Sequence, residues 1–228
     1  DYQRFQRTMF NLKCPLVFRS LKLQRFIVWP MIFARNLRYN RKNTWLKTVN
    51  RSISFVDSTP LRVCRNQRIL IHKTFEGLAE CGKCSMGWFF GFKLHLIIND
   101  KGEILNFMFT PGNVDDREPL KQGKFLENIK GKLCADKGYI GQALFGNLFL
   151  DGIQLVTKVK NNMKNSLMSI ADKILLRKRV LIETINDELK SIAQIEHSRH
   201  RSFNNFIANS LSAIAQHTAF LKRSPPLT

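Results

Sequence analysis

The chain has 228 residues, with 37 Lys and Arg against 17 Asp and Glu, a formal net charge of +20 and a pI near 10.2. That length suits one full domain and a small appendage at roughly 100–200 residues per domain, and 44% hydrophobic residues suffice for a buried core. The balance excludes an acidic tail and a collagen-like fibre, and points to an anionic partner, with nucleic acid leading because a duplex presents one phosphate per ~1.7 Å.

No membrane partner is expected. The longest uncharged apolar run near the N-terminus, Phe26 to Ala34, falls well short of the ~20 residues a spanning helix needs. Arg25 and Arg35 flank it and no small-residue cleavage site follows, so it does not read as a signal peptide. A cytoplasmic setting is expected, and the cysteines agree. Five of them, at 14, 64, 81, 84 and 134, are odd in number and irregular in spacing, unlike a disulfide framework. Cys81-Gly-Lys-Cys84 has the spacing of half a zinc site or a redox pair, but no second zinc-finger pair follows, and the thiols read as free in a polar loop. His197 and His200, among Arg199 and Arg201, read as a basic, phosphate-facing edge rather than a metal site.

Residues 1–50 hold eleven basic residues and one acid, half of the net charge in less than a quarter of the chain. They show no sustained helical or strand period, and Pro15 and Pro30 interrupt any long helix. We read 1–50 as an atypical basic segment. The missing Met and the abrupt change at residue 51 fit an upstream frameshift or truncation.

From residue 51 regular elements are expected. Ser52 to Asp57 is a strand ending on an acid, and 58–87 a long connection. Trp88 to Ile98 is a strand, Asn99 to Gly102 a turn and Glu103 to Thr110 the returning strand of a hairpin. Residues 116–129 have a short helical pattern, with Asp115 and Asp116 as turn and cap residues before it. Lys132 to Asp136 reads as an edge strand, again ending on an acid. Tyr139 to Leu150 is a helix, Ile153 to Val159 a strand, Leu167 to about Glu196 a long helix, and Ser202 to about Leu221 a final helix before a tail. Strands that meander and then alternate with helices give an α/β architecture, a mixed sheet flanked by helices.

Two strands thus end in Asp57 and Asp136, and the long helix carries Glu183. Acids collected outside strand ends repel one another unless a divalent cation neutralises them, and Mg²⁺ takes such hard oxygen ligands. Two ions about 3.5–4 Å apart can activate one oxygen of a phosphodiester exchange and stabilise the other. Arg179, Glu183 and Lys190, spaced by four and seven, lie on one helix face beside the apolar stripe Ile182, Ile185, Leu189 and Ile192. A plain surface ion pair between Arg179 and Glu183 would have the poorer orientation, and Asp187 adds like charge nearby.

The segments VDSTP (56–60), GFKLHLIINDKGEI (91–104), TPGNVDDR (110–117), ADKGYIG (135–141) and RKRVLIETINDELK (177–190) resemble the catalytic domain of bacterial insertion-sequence transposases of the DDE class. The resemblance spans about 51–222, leaving 223–228 as a tail, and implies a ribonuclease-H-like fold. It implies a triad at Asp57, Asp136 and Glu183 holding two Mg²⁺, with Mn²⁺ as a substitute. The family's Tyr-Arg-Glu-Lys signature is matched by Arg179, Glu183 and Lys190, while Leu176 stands at the Tyr position. Arg179 and Lys190 would then fix DNA phosphates.

Lys93 and His95 share one sheet face, and so do Lys137 and Tyr139 if the chain stays extended past Asp136. We count Lys93, His95 and Lys137 as candidate DNA contacts, although His95 reads equally well as a histidine satisfied within the sheet. The implied activity is cleavage at the ends of a mobile element and strand transfer into target DNA, by a homo-oligomer assembled on DNA in a bacterial nucleoid. The competing reading is an inactive remnant that binds DNA through charge, and a third is a structure-selective nuclease of the same fold.

Overall fold

The computed structural model describes residues 53–158, 168–196 and 200–223. Residues 1–50, Val159, Leu167 and His197 lie outside them. Six strands form one sheet: β1 (Ile53–Cys64), β2 (Glu80–Cys84), β3 (Gly87–Asn99), β4 (Ile104–Pro111), β5 (Gly131–Ala135) and β6 (Ile153–Thr157). The helices are α1 (Glu118–Lys121), α2 (Gln142–Leu150), α3 (Ile170–Arg177), α4 (Val180–Ser191) and α5 (Phe203–Arg223), with single 3₁₀ turns at Asn66–Ile71 and Lys137–Tyr139.

The sheet runs β2-β3-β1-β5-β6, and β4 also pairs with β3. The long β3 meets β1 along one edge and divides its other edge between β2 and β4, all antiparallel. β1, β5 and β6 are parallel. The sheet is therefore mixed and flanked by helices, as the element order predicted.

Five expectations change, the first being that the helical pattern over 116–129 shortens to α1, Glu118–Lys121. β1 does not stop at Asp57 but runs to Cys64, through Pro60. Proline is tolerated because β5 pairs only with Ile53–Phe55, leaving that side of β1 an open edge where no N–H is required. The connection at 58–87 contains β2, so Cys81 and Cys84 lie on a strand, as free thiols. β5 is interior rather than an edge strand. The single helix at 167–196 is two helices, parted at Lys178 and Arg179.

Period-two alternation sorts the strands into two layers. Phe55, Leu61, Phe92, Leu94, Leu96 and Cys134 face α3, α4 and α5, where Leu176, Ile182, Ile185, Leu189 and Phe206 pack on them. Phe206 is the keystone of that layer, its ring 5.0 Å from Phe92 and 5.7 Å from Phe75. Val56, Ile97, Met108, Leu133 and Leu155 face the other way, under Leu120, Leu144, Leu148 and Tyr139. Leu176, at the position where the family carries Tyr, is buried in the first layer.

Candidate active site

The parallel register of β1 and β5 sets the site. Phe55 stands abreast of Cys134 in the last shared pair, and each strand carries an Asp two residues on, Asp57 and Asp136. The strands part there, so two carboxylates on the same sheet face meet where backbone pairing ends. β1 continues beside β3 with Asp57 opposite Leu96, while the chain after Asp136 turns off the sheet.

The third acid comes from α4, which packs across that face. Arg179 lies in the turn before α4, where Leu181 and Ile182 N–H groups donate to the Lys178 and Arg179 carbonyls three residues back. That tightened turn aims Arg179 inward. Its Nη1 donates to Asp136 Oδ1 at 3.1 Å and its Nη2 to Asp57 Oδ1 at 3.4 Å, with Glu183 Oε1 at 3.6 Å. Arg179 is therefore no surface partner of Glu183: its side chain is 9% exposed, against 53% for Asp136 and 55% for Glu183. The site opens to solvent past Asp136 and Glu183 and has Asp57 as its floor.

Sequence reasoning missed Asn186. It sits three residues after Glu183 on the inner stripe of α4, is buried, and donates from Nδ2 to Asp57 Oδ2 at 3.1 Å. An amide on an otherwise aliphatic stripe was the available signal. Asp57 is thus held at both oxygens. Burial nonetheless pushes its carboxyl up to about 6, against the pull of Arg179, and Glu183 and Asp136 push it further the same way.

The donor set suits a divalent cation. Three carboxylates against one guanidinium leave surplus negative charge on hard oxygens, the ligands Mg²⁺ prefers. In the present side-chain positions the acids gather on Arg179, and among the described residues no group of three His, Cys, Asp or Glu is closed at ion-holding distance.

Of the remaining predicted residues, Lys93 and His95 lie away from this site. Lys93 and His95 do share a sheet face, but it is the face opposite Asp57. Lys93 Nζ donates to Asp116 Oδ1 at 2.9 Å and to the Val114 carbonyl at 2.8 Å, tying down the loop after β4. His95 is buried, with Nε2 2.8 Å from Thr110 Oγ1, and burial lowers its pKa to about 4. Lys137 and Tyr139 do not continue the strand. Tyr139 N–H donates to the Asp136 carbonyl in a 3₁₀ turn, which buries Tyr139 under the second layer and leaves Lys137 half-buried beside Asp136.

Lys190 is near the end of α4, 3.9 Å from Glu196. Asp115 accepts from the Arg117 backbone and side chain in the expected turn, which holds its carboxyl below the ordinary range. Asp116 pairs with Lys93 instead of capping α1. His200 packs edge-on against Phe206, and burial lowers its pKa.

A mixed sheet flanked by helices, with acids from two neighbouring parallel strands and a covering helix turned to one face, has the ribonuclease-H-like fold. The chain belongs to the family described as the Transposase DDE domain, whose sequence model matches residues 47–203. Among solved structures it is similar in fold to a piggyBac transposase, seen by cryo-electron microscopy in a synaptic complex with hairpin DNA, with a TM-score of 0.53 and 10% identity over 75% of this chain. The chain spans 47% of that protein's length. No curated protein matches the sequence. No described helix is long and apolar enough to cross a membrane.

Proposed function

We propose that this chain is the catalytic domain of a DNA transposase that cleaves strands at the ends of a mobile element and joins them to target DNA. The observation that carries the reading is the convergence of Asp57, Asp136 and Glu183, from β1, the end of β5 and α4, on one guanidinium. Acids so far apart in sequence are costly to gather without a reason in chemistry.

Asp57, Asp136 and Glu183 are the residues to hold one or two Mg²⁺, or Mn²⁺ in its place. When bound, such ions would neutralise the acids, activate the attacking oxygen and stabilise the leaving oxygen of a phosphodiester. Asp57, held at Oδ2 by Asn186, supplies a fixed ligand on the floor. Asp136 and Glu183, half-exposed, offer their oxygens from the rim, on the side a DNA strand must approach. Lys137, beside Asp136, and Lys190 are the cations we assign to phosphate contact. Lys93 and His95 act indirectly in this reading, by bracing the 111–117 loop, whose Arg117 Nη1 donates to the Ile140 carbonyl just past Asp136. Assembly as a homo-oligomer on DNA belongs to the same proposal.

The test is cleavage of duplex DNA carrying the element's terminal repeats, with Mg²⁺. Asp57→Ala, Asp136→Ala and Glu183→Ala should each lower strand cleavage at least a thousandfold while DNA binding persists. Metal-dependent cleavage that survives any of these substitutions would sink the assignment of that residue.

A further inference from the structure

We propose that Arg179 is an internal counter-ion that a divalent cation displaces, so that metal entry frees its guanidinium for phosphate. The inference rests on the proposed function and deepens it by assigning an order to the two ligands.

Arg179 reaches all three acids at once, and on the oxygens a metal would need: Asp57 Oδ1, Asp136 Oδ1 and Glu183 Oε1. A divalent ion on these oxygens would stand within a few ångströms of the guanidinium, and at that separation the two positive charges would repel. Both cannot hold the same ligands. The ion has the advantage, since it carries twice the charge and coordinates carboxylate oxygens directly.

Two features allow the exchange without unmaking the site. Asn186 holds the other oxygen of Asp57, so Asp57 keeps its orientation when Arg179 leaves. Arg179 also stands in the turn between α3 and α4, not within a helix, and its Nε is buried without a hydrogen-bond partner among the described residues. Among the polar contacts of the described residues, moving outward breaks the three to the carboxylates, and it lets water reach Nε. The exit lies past the half-exposed Asp136 and Glu183. A guanidinium there matches the fork of two phosphate oxygens. Arg179 therefore keeps the acids gathered before metal arrives and becomes a phosphate ligand once it has bound.

The experiment uses the purified full chain without DNA. Free Mn²⁺ is followed by electron paramagnetic resonance during titration, and the thermal midpoint is measured in chelator. Arg179→Gln should bind Mn²⁺ at least tenfold more tightly than the wild type and melt lower in chelator. Arg179→Lys, which keeps the charge, should stay near the wild-type Mn²⁺ affinity.

Should Arg179→Gln not fold, the wild-type chain still answers. Modification of Arg179 by phenylglyoxal, read by peptide mass, should be several-fold faster with Mn²⁺ than with chelator. Equal or weaker Mn²⁺ binding by folded Arg179→Gln, or unchanged protection of Arg179, overturns the exchange. If Asp57→Asn abolishes Mn²⁺ binding in that case, the metal site of the proposed function still stands. Absence of Mn²⁺ binding to both the wild type and Arg179→Gln overturns the two together.

Discussion

At the residue scale, Asp57 and His95 show how opposite sheet faces give one strand pair two different chemistries. Asp57 faces the acids and Arg179, while His95, one strand away, is sealed against Thr110. His95 Nδ1 has no hydrogen-bond partner among the described residues, so protonation would bury an unpaired N–H. The folded imidazole, with its pKa near 4 against an ordinary 6.5, stays neutral where the unfolded one charges. The stability from this neutral burial is complete above pH 6.5 and is lost as pH falls toward 4.

Asp57 works in the reverse direction. Its raised carboxyl costs stability as pH rises from about 4 to about 6. The His95 contribution is therefore read as a difference: denaturant unfolding of His95→Gln from pH 7 to 4 should fall less steeply than that of the wild type. Parallel pH profiles would refute it. Asn186 is a positioning residue for Asp57. A hydrogen bond to a charged group is worth about 1.5–3 kcal/mol, so Asn186→Ala should cut cleavage roughly tenfold to a hundredfold. It should also raise the Mg²⁺ concentration needed for half-maximal rate, a readout that simple loss of stability would not move.

At the scale of elements, the long amphipathic stretch of 167–196 reads as one helix because neither Pro nor Gly marks a break. The structure breaks it at Lys178 and Arg179, where Leu181 and Ile182 N–H groups bond three residues back and the Arg179 side chain is drawn to Asp57 and Asp136 on other elements. That pull is invisible to periodicity. The hairpin of β3 and β4 is the opposite case. Its turn is stated locally, by Asn99 accepting from the Lys101 and Glu103 N–H groups and by Gly102 at φ +83°.

Gly91 shows a third situation, in which one residue permits two strands to pass. A Cβ there would stand 2.0 Å from the Leu61 carbonyl oxygen. Gly91→Ala should therefore cost on the order of 2–4 kcal/mol, seen as a lower urea midpoint. An unchanged midpoint would show that β1 can shift away from β3 without penalty.

For the whole molecule, the net charge of +20 points to an anionic partner, which the proposed function makes DNA. Affinity for a DNA duplex should fall with salt along a log–log slope of about −0.9 per phosphate contact. Lys137→Ala should flatten that slope by about one contact, without a change in sequence preference. A slope equal to the wild type would remove Lys137 from the phosphate surface.

The sequence by itself determined five of the six strands, missing β2, together with their alternation and the class of the domain. Period-two patterning, turn residues and five short motifs are local properties, legible one segment at a time. It also offered Asp57, Asp136 and Glu183 as candidates, because acids at strand ends and on an amphipathic helix stand out against their neighbours.

Tertiary structure alone decided which charged residues meet. Lys93 and His95 looked equivalent to Lys137 as candidates, yet the pleat puts them on the face away from Asp57. Asn186 looked like any polar residue in a helix until α4 crossed β1 and brought its amide to Asp57. The physical reason is range. Patterning is read over a few residues, whereas the Arg179 cluster joins positions 43 and 122 residues apart, whose meeting depends on how β1, β5 and α4 pack.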